Sequence, residues 1–280
     1  HVVAARRQAM TEAEQGRDGS RGLAFGASDG IAEPPQTMPG ALVEYYEQMH
    51  SNLPPVVGTW PSQTGGTKLR GYVQENNGVM IGTPHYLGPL ILATKGKPVR
   101  IKFTNRLPLT AAGGNLFLPV DTTIMGAGMG PLTAAGAPCD PSAPGAACAS
   151  YTQNRATIHL HGGIPPWISD GTAHQWITPA GEITPYPKGA SQQNVPDMPV
   201  PPGGSATFYW TNQQGGRLMF YHDHAYGITG LNVYGGEAAG YLLVDPAEET
   251  TLATAGVPGT VPADLGHLIP LVIQDKTFVS

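Results

Sequence analysis

"VRIKFTN", residues 99–105, places Val99, Ile101 and Phe103 on one side of an extended chain and Arg100, Lys102 and Thr104 on the other. Successive side chains of a strand point to opposite faces, so the stretch reads as a β-strand with one face on a core and one toward water. Further strand signals lie in "TKLRGYVQ" (67–74), "PLILAT" (89–94), "ATIHLHG" (156–162), "SATFYWT" (205–211), "RLMFYHDH" (217–224), "AAGYLLVD" (238–245) and "LIPLVIQD" (268–275). Each is short, rich in β-branched or aromatic residues, and bounded by Gly, Pro or Asn. No helical pattern separates them regularly, which argues against a βαβ architecture and for an all-β sandwich or barrel.

Composition agrees. Of 280 residues only 12% are charged, while 38 are Gly and 28 Pro, a balance that favours turns and short strands over long surface helices. The formal net charge is −5 and no Lys/Arg-rich block occurs, so the footprint of a nucleic-acid binder is missing. No apolar run approaches the roughly 20 residues that span a bilayer, so no membrane span is expected. The first residue is His1 rather than Met, consistent with an amino terminus made by processing. The two cysteines, Cys139 and Cys148, lie in "APCDPSAPGAACAS", where no histidine stands at zinc-ligand spacing. A local disulfide is preferred over two free thiols, and would imply an oxidising compartment: secreted, periplasmic or cell-surface.

Three regions follow. Residues 1–64 read as an extended, polar arm, with a helical turn or two near "TEAEQ" and a short helix over "MPGALVEYYEQMH" (38–50), whose apolar residues fall at helical spacing. Residues 65–250 form the sandwich, interrupted by long insertions at 108–150 and 171–203 that are expected to cover a functional surface. Residues 251–280 read as a linker (257–267) and an apolar strand that opens a second domain whose remainder lies elsewhere.

Nine histidines are spread over the chain, yet four form two tight pairs: "HLHGG" holds His159 and His161, and "FYHDHAYG" holds His222 and His224. In strands, His159 and His161 share a face, as do His222 and His224, so neighbouring strands would bring four imidazoles together. Neutral imidazoles suit copper, zinc, iron or nickel, and their dominance argues against calcium or magnesium.

"HLHGG", "SDG" ending at Gly171, and "FYHDHAYGITGLNVYGGEAAGYLL" resemble the two amino-terminal copper motifs of the multicopper oxidases, most closely the branch of spore-coat laccase, bilirubin oxidase and phenoxazinone synthase. "LGPLILATKGKPVRIKFTNRLP" (87–108) and "IPLVIQDKTF" resemble that family's early strand pair and the opening strand of its second domain. The resemblance covers roughly residues 67–278. It implies a cupredoxin-like Greek-key β-sandwich carrying half of a trinuclear copper site. His159 would then bind the type-2 copper, His161 and His222 one type-3 copper, and His224 the other. Electrons from a small reducing substrate (phenolic, bilirubin-like or a metal ion) would reach a type-1 copper and then the trinuclear centre, where O2 is reduced to water. The type-1 copper and the remaining ligands would lie outside this chain, since neither cysteine here has histidine neighbours: either on a second polypeptide carrying the carboxyl-terminal cupredoxin domains, as cleavage of a longer precursor would produce and as is preferred, or in the part missing from a truncated fragment.

Asp170, nine residues after His161, matches an acidic position near the type-2 copper of this family and is expected to relay protons. Asp223 is expected to be a structural hydrogen-bond acceptor. Trp167 and Trp176 are read as packing over the approach or in the core. His174, His85 and His50 are read as solvated, and Met125 and Met129 as packing of a lid loop. Where close relatives carry Arg after "HDHAYGIT", this chain has Gly230. The competing readings are a non-catalytic copper-sequestration module and a copper nitrite reductase, the latter needing a cysteine ligand that this domain lacks.

Overall fold

The computed structural model describes residues 2–4, 36–193, 195–196, 198–257 and 270–279. The helical turns expected near "TEAEQ" and the linker over 258–267 lie outside them. Nine strands build the sandwich: β1 (Gln36–Glu47), β2 (Thr67–Asn76), β3 (Val79–Ile81), β4 (Ile91–Thr94), β5 (Val99–Asn105), β6 (His159–His161), β7 (Ser205–Trp210), β8 (Arg217–His222) and β9 (Ala238–Val244). One sheet has the order β7-β5-β1-β2-β3 and the other β6-β8-β9-β4. After β3 the chain alternates between the sheets until β8 and β9 close the second one. Most neighbours are antiparallel, but β1 runs parallel to β5, and β4 to β9. The expected all-β, cupredoxin-like sandwich is thus what forms.

Its core lies between the sheets. Val99, Ile101, Phe103, Phe208 and Trp210 from one sheet meet Ile91, Leu160, Met219, Tyr221, Tyr241 and Leu243 from the other. The alternation in β5 holds as read: Val99, Ile101 and Phe103 are buried while Arg100 and Lys102 are partly exposed. Thr104 is buried too, under β7.

The helix expected over 38–50 is instead the twelve-residue strand β1, so the sandwich begins well before residue 65. The reason is that β1 is the central strand of its sheet, with both faces covered. Met38 and Leu42 enter the inter-sheet core. Ala41, Val43 and Tyr45 enter a second cluster with Leu69, Val73, Tyr86 and Leu87 on the outer side. A strand that is apolar on both faces loses its period of two, and its residues then satisfy a helical template equally well.

Two helices were not anticipated. Helix α1 (Thr229–Gly235) follows the second histidine pair and is closed by Gly236, whose φ of 119° suits a residue without a side chain. Helix α2 (Pro246–Thr254) follows β9 and is capped by Asp245, whose side chain accepts from the Ala247 amide at 3.1 Å. The long insertions fold back on the sandwich. Trp176, Tyr186, Ala127, Ala225 and Ile228 make a small core that joins both insertions to the turn after the second histidine pair. Cys139 and Cys148 form the expected disulfide, with a Cα–Cα distance of 5.6 Å, across the hairpin of strands Met129–Thr133 and Cys148–Ser150.

The last expected strand is present as Leu271–Ile273, pairing antiparallel with Val2–Ala4 and leaving Leu271 and Ile273 exposed. Just beyond it, Lys276 donates to the Tyr234 carbonyl of α1 and stands over the Tyr86 and Tyr234 rings at 5.0 and 4.5 Å.

One end of the core carries buried charge. Arg70 donates to Glu44 at 3.2 Å and to the carbonyls of Gln153 and Gly114 at 2.8 and 2.9 Å. Glu237 is fully buried, its nearest cation is Arg70 at 3.8 Å, and neither of its carboxyl oxygens has a hydrogen-bond partner. Burial, reinforced by Asp223 and opposed by Arg70, holds this carboxyl well above its ordinary value of 4.5. A raised folded-state pKa means that the protonated group stabilises the fold fully below the unfolded value and loses that contribution as pH rises. Glu237→Gln is therefore expected to melt higher than the parent at pH 8 and close to it at pH 5 in thermal scans. A parent that melts higher than the variant at pH 8 would mean that Glu237 is ionised and held by Arg70.

Candidate metal centre

The register of one strand pair assembles the site. β6 lies antiparallel to β8 with His159 opposite His222, Leu160 opposite Tyr221, and His161 opposite Phe220. Opposed residues share a face, so Leu160 and Tyr221 point into the core while His159, His161, Phe220 and His222 stand on the outside of the sheet. β8 ends at His222, and Asp223 and His224 continue in the turn that leads to α1.

Ligand-capable nitrogens of His159, His161 and His222 lie within 4.8 Å of one another. The His224 ring sits 5.0 Å from that of His159 and 5.8 Å from that of His222, so the fourth imidazole joins the group at its edge. The rings are held from behind. His159 Nδ1 meets the Asp170 carbonyl at 2.5 Å, and His222 Nδ1 meets the Asp223 carbonyl at 2.6 Å. With the Nδ1 protons donated there, both Nε2 atoms are left as lone-pair donors. Phe220, which the sequence reading did not single out, stacks on both His161 and His222, with centroids 4.7 and 5.0 Å away and interplanar angles of 17° and 25°.

His161 Nδ1 and His222 Nε2 face each other at 3.3 Å. That is long for a hydrogen bond. Two imidazole nitrogens about 2.0 Å from one ion at a tetrahedral angle would lie about 3.3 Å apart, so the spacing suits a shared metal ion. His224 Nδ1 is buried and has no hydrogen-bond partner. The donor set is therefore imidazole-rich and turned outward, with at least one nitrogen unused by the protein.

Burial disfavours the charged form of two of the four rings. Burial, aided by the three neighbouring imidazoles, pushes His222 from 6.5 down to about 4. Burial also lowers His224, while the Asp170 charge acts in the opposite direction. The Asp170 carboxylate itself lies 3.6 Å from His159 Nδ1 and is partly exposed, beside the cluster as expected.

Asp223 has the structural role expected of it. Fully buried, it accepts from the Thr157 and Ala225 amides and from Asn232 Nδ2, each at 2.9 Å. Burial pushes its carboxyl upward against these bonds and against the nearby charge of Arg155. Arg155, itself buried, lies over the rings of Tyr151 and Trp176 at 5.0 and 5.3 Å. Trp176 is thus core, whereas Trp167 is exposed in the 3-10 turn Trp167–Ser169 leading into Asp170.

The weaker candidates stay apart from the cluster. His174 packs against Tyr226, tilted by 53° with ring centroids 4.7 Å apart, His85 stands 3.9 Å from Glu47, and His50 Nδ1 accepts from the Asn52 amide at 3.1 Å. Met125 and Met129 are exposed rather than packed. A side chain at Gly230 would meet open space, so the departure there leaves no steric trace.

No protein-family model matches the chain. Among curated proteins it is 31% identical over 255 residues to a laccase of Bacillus stratosphericus, covering 89% of this chain and 36% of the relative. It is 29% identical over 238 residues to a laccase of Bacillus subtilis, covering 85% of this chain and 33% of the relative. Among solved structures, a multi-copper oxidase from Pediococcus acidilactici superposes with a TM-score of 0.38 at 16% identity, covering 81% of this chain and 32% of that one. The chain spans about a third of the length of the curated relatives it matches. With both laccases aligned across the sandwich and the histidine pairs together on one face, the chain belongs to the laccase-like multicopper oxidase family.

Proposed function

We propose that this chain supplies the amino-terminal histidine half of a trinuclear copper site in an oxidase. The whole enzyme couples one-electron oxidation of a small reducing substrate to the four-electron reduction of O2 to water. The observation that carries this reading is the outward cluster of His159, His161 and His222, with His224 at its edge, in a chain of laccase-like descent. Bound there, copper supplies the one-electron redox steps and the site at which O2 is reduced.

The residues have distinct parts. His161 Nδ1 and His222 Nε2, 3.3 Å apart, would hold one type-3 ion. His159 presents Nε2 to the type-2 ion because its Nδ1 is tied to the Asp170 carbonyl, and His224 serves the second type-3 ion. Asp170, at the edge of the cluster and open to solvent, holds and passes protons toward the oxygen being reduced. Phe220 keeps two of the imidazoles in their planes.

Four imidazoles cannot saturate three copper ions, and both cysteines are in the disulfide, so neither offers a thiolate. We infer that the type-1 copper and the remaining histidines come from carboxyl-terminal cupredoxin domains outside these 280 residues, with a second polypeptide as the favoured carrier. The disulfide favours an oxidising location: secreted, periplasmic or cell-surface.

The test is intact mass, copper content and visible spectrum of the native material, with oxygen uptake on a phenolic donor. A second polypeptide, about four coppers per assembly and intense blue absorption are expected. A single 29.3 kDa species holding one copper or none, colourless and without oxygen uptake, would favour the sequestration module instead.

A further inference from the structure

The two histidine pairs lie far apart in sequence, yet one carboxylate holds both. Asp223 Oδ1 accepts from the amide of Thr157, two residues before His159. Its Oδ2 accepts from the amide of Ala225, just after His224, and from Asn232 Nδ2. Asn232 is fully buried on α1, and its own backbone is fixed on both sides. Its amide donates to the Ile228 carbonyl at 2.9 Å, and its carbonyl accepts from the Glu237 amide at 3.0 Å. Glu237 in turn accepts from the Asp223 amide at 3.1 Å, closing a ring of bonds around the turn that carries His222 and His224.

We propose that Asn232 is a positioning residue for the metal cluster: by orienting the Asp223 carboxylate it fixes the spacing of the two histidine segments, and with it their affinity for copper. This rests on the copper reading of the cluster given above. The side-chain chemistry at 232 is narrowly specified. The site needs a short donor, and Asn232 uses only its Nδ2, since Oδ1 has no partner. A leucine would fill the volume but leave one carboxylate lone pair bare, an aspartate would set two carboxylates face to face, and a glutamine would overfill a fully buried site. If Asp223 turns even slightly, the Thr157 amide moves relative to Ala225, and the nitrogens now 3.3 Å apart on His161 and His222 lose their register.

The experiment compares the parent with Asn232→Leu, Asn232→Ser and Ile101→Val, the last a core change in the opposite sheet that controls for loss of stability. Cu(II) affinity is measured against a competing chelator, and the bound ion is examined by electron paramagnetic resonance. Partners of ligating residues typically contribute 10–100-fold to metal affinity, so both Asn232 variants are expected to weaken copper within that range and to change the resonance parameters. Ile101→Val should do neither. Asn232→Ser is small enough to fold if the leucine is not accommodated, and its hydroxyl is too short to reach Asp223. Variants that bind copper with the parent's affinity and spectrum would overturn the positioning role while leaving the copper reading intact. A parent that binds no copper would overturn both.

Discussion

Replacing His222 with alanine is expected to weaken Cu(II) binding by more than about 100-fold, beyond the 10–100-fold typical of residues that only support a ligand. His222 is the most buried of the four imidazoles, and its Nε2 faces His161 Nδ1 at 3.3 Å. Its Nδ1 is committed to the Asp223 carbonyl, which holds the ring with Nε2 toward His161. The alanine leaves His161 facing an ion with half of its local ligands gone, while Tyr221, Met219 and the sheet register should persist. Chelator competition reads the affinity, and circular dichroism confirms the fold. His174→Ala is the matched control, since that ring packs against Tyr226 and is not among the clustered nitrogens, and its affinity should stay within about twofold. Equal losses in both variants would sink the assignment of His222 as a ligand.

The second large effect is on stability. Trp210 is fully buried at the end of β7, against Tyr241 and Tyr221 with ring centroids 5.4 and 6.3 Å away. Its indole nitrogen has no partner, so its contribution is packing alone. Trp210→Ala is expected to cost about 3–5 kcal/mol, against a total near 5–15 kcal/mol for a domain. For a sandwich of this size the melting temperature should fall by roughly 6–20 °C. Trp210→Phe should cost clearly less because most of the volume is retained. A loss below about 1 kcal/mol for the alanine would mean that the two sheets close over the gap.

Much of this was legible in the residues because the informative strands have one wet face. In β5, Arg100 and Lys102 mark the outside and reveal the period of two, whereas β1 is buried on both faces over Ala41, Leu42 and Val43, and its residues fit a helical template as well. The capping of α2 is written in "DPAEE", where an N-cap Asp precedes Pro and two acidic residues, although the sequence reading placed no helix there. The histidines announced themselves through spacing, which pairing of β6 with β8 turns into proximity. Asn232, Phe220 and Glu237 carry no such signal. An Asn after Leu in "GLNVY" looks like any helix residue, and only the return of the chain through Gly236 places it under Asp223. Glu237 in "GGEAAGYLL" is a carboxyl at the edge of an apolar run, and it becomes unusual only once Arg70 is seen to lie beyond hydrogen-bond reach.

The position of β9 bears on how the protein is made. It lies between β8 and β4, pairing Tyr221 with Ala239 on one side and Tyr241 with Ile91 on the other. A ribosome adding about 5–20 residues per second releases β4 many seconds before β9. Throughout that interval β4 lacks this neighbour, and once Arg217–His222 has emerged β8 lacks it too, so two apolar edges wait unpaired at the end of it. The turn bearing His222 and His224 is also without its ring of bonds until Asn232 and Glu237 emerge. The histidine turn is thus completed late, only when the segment from Asn232 to Val244 has joined the sheet.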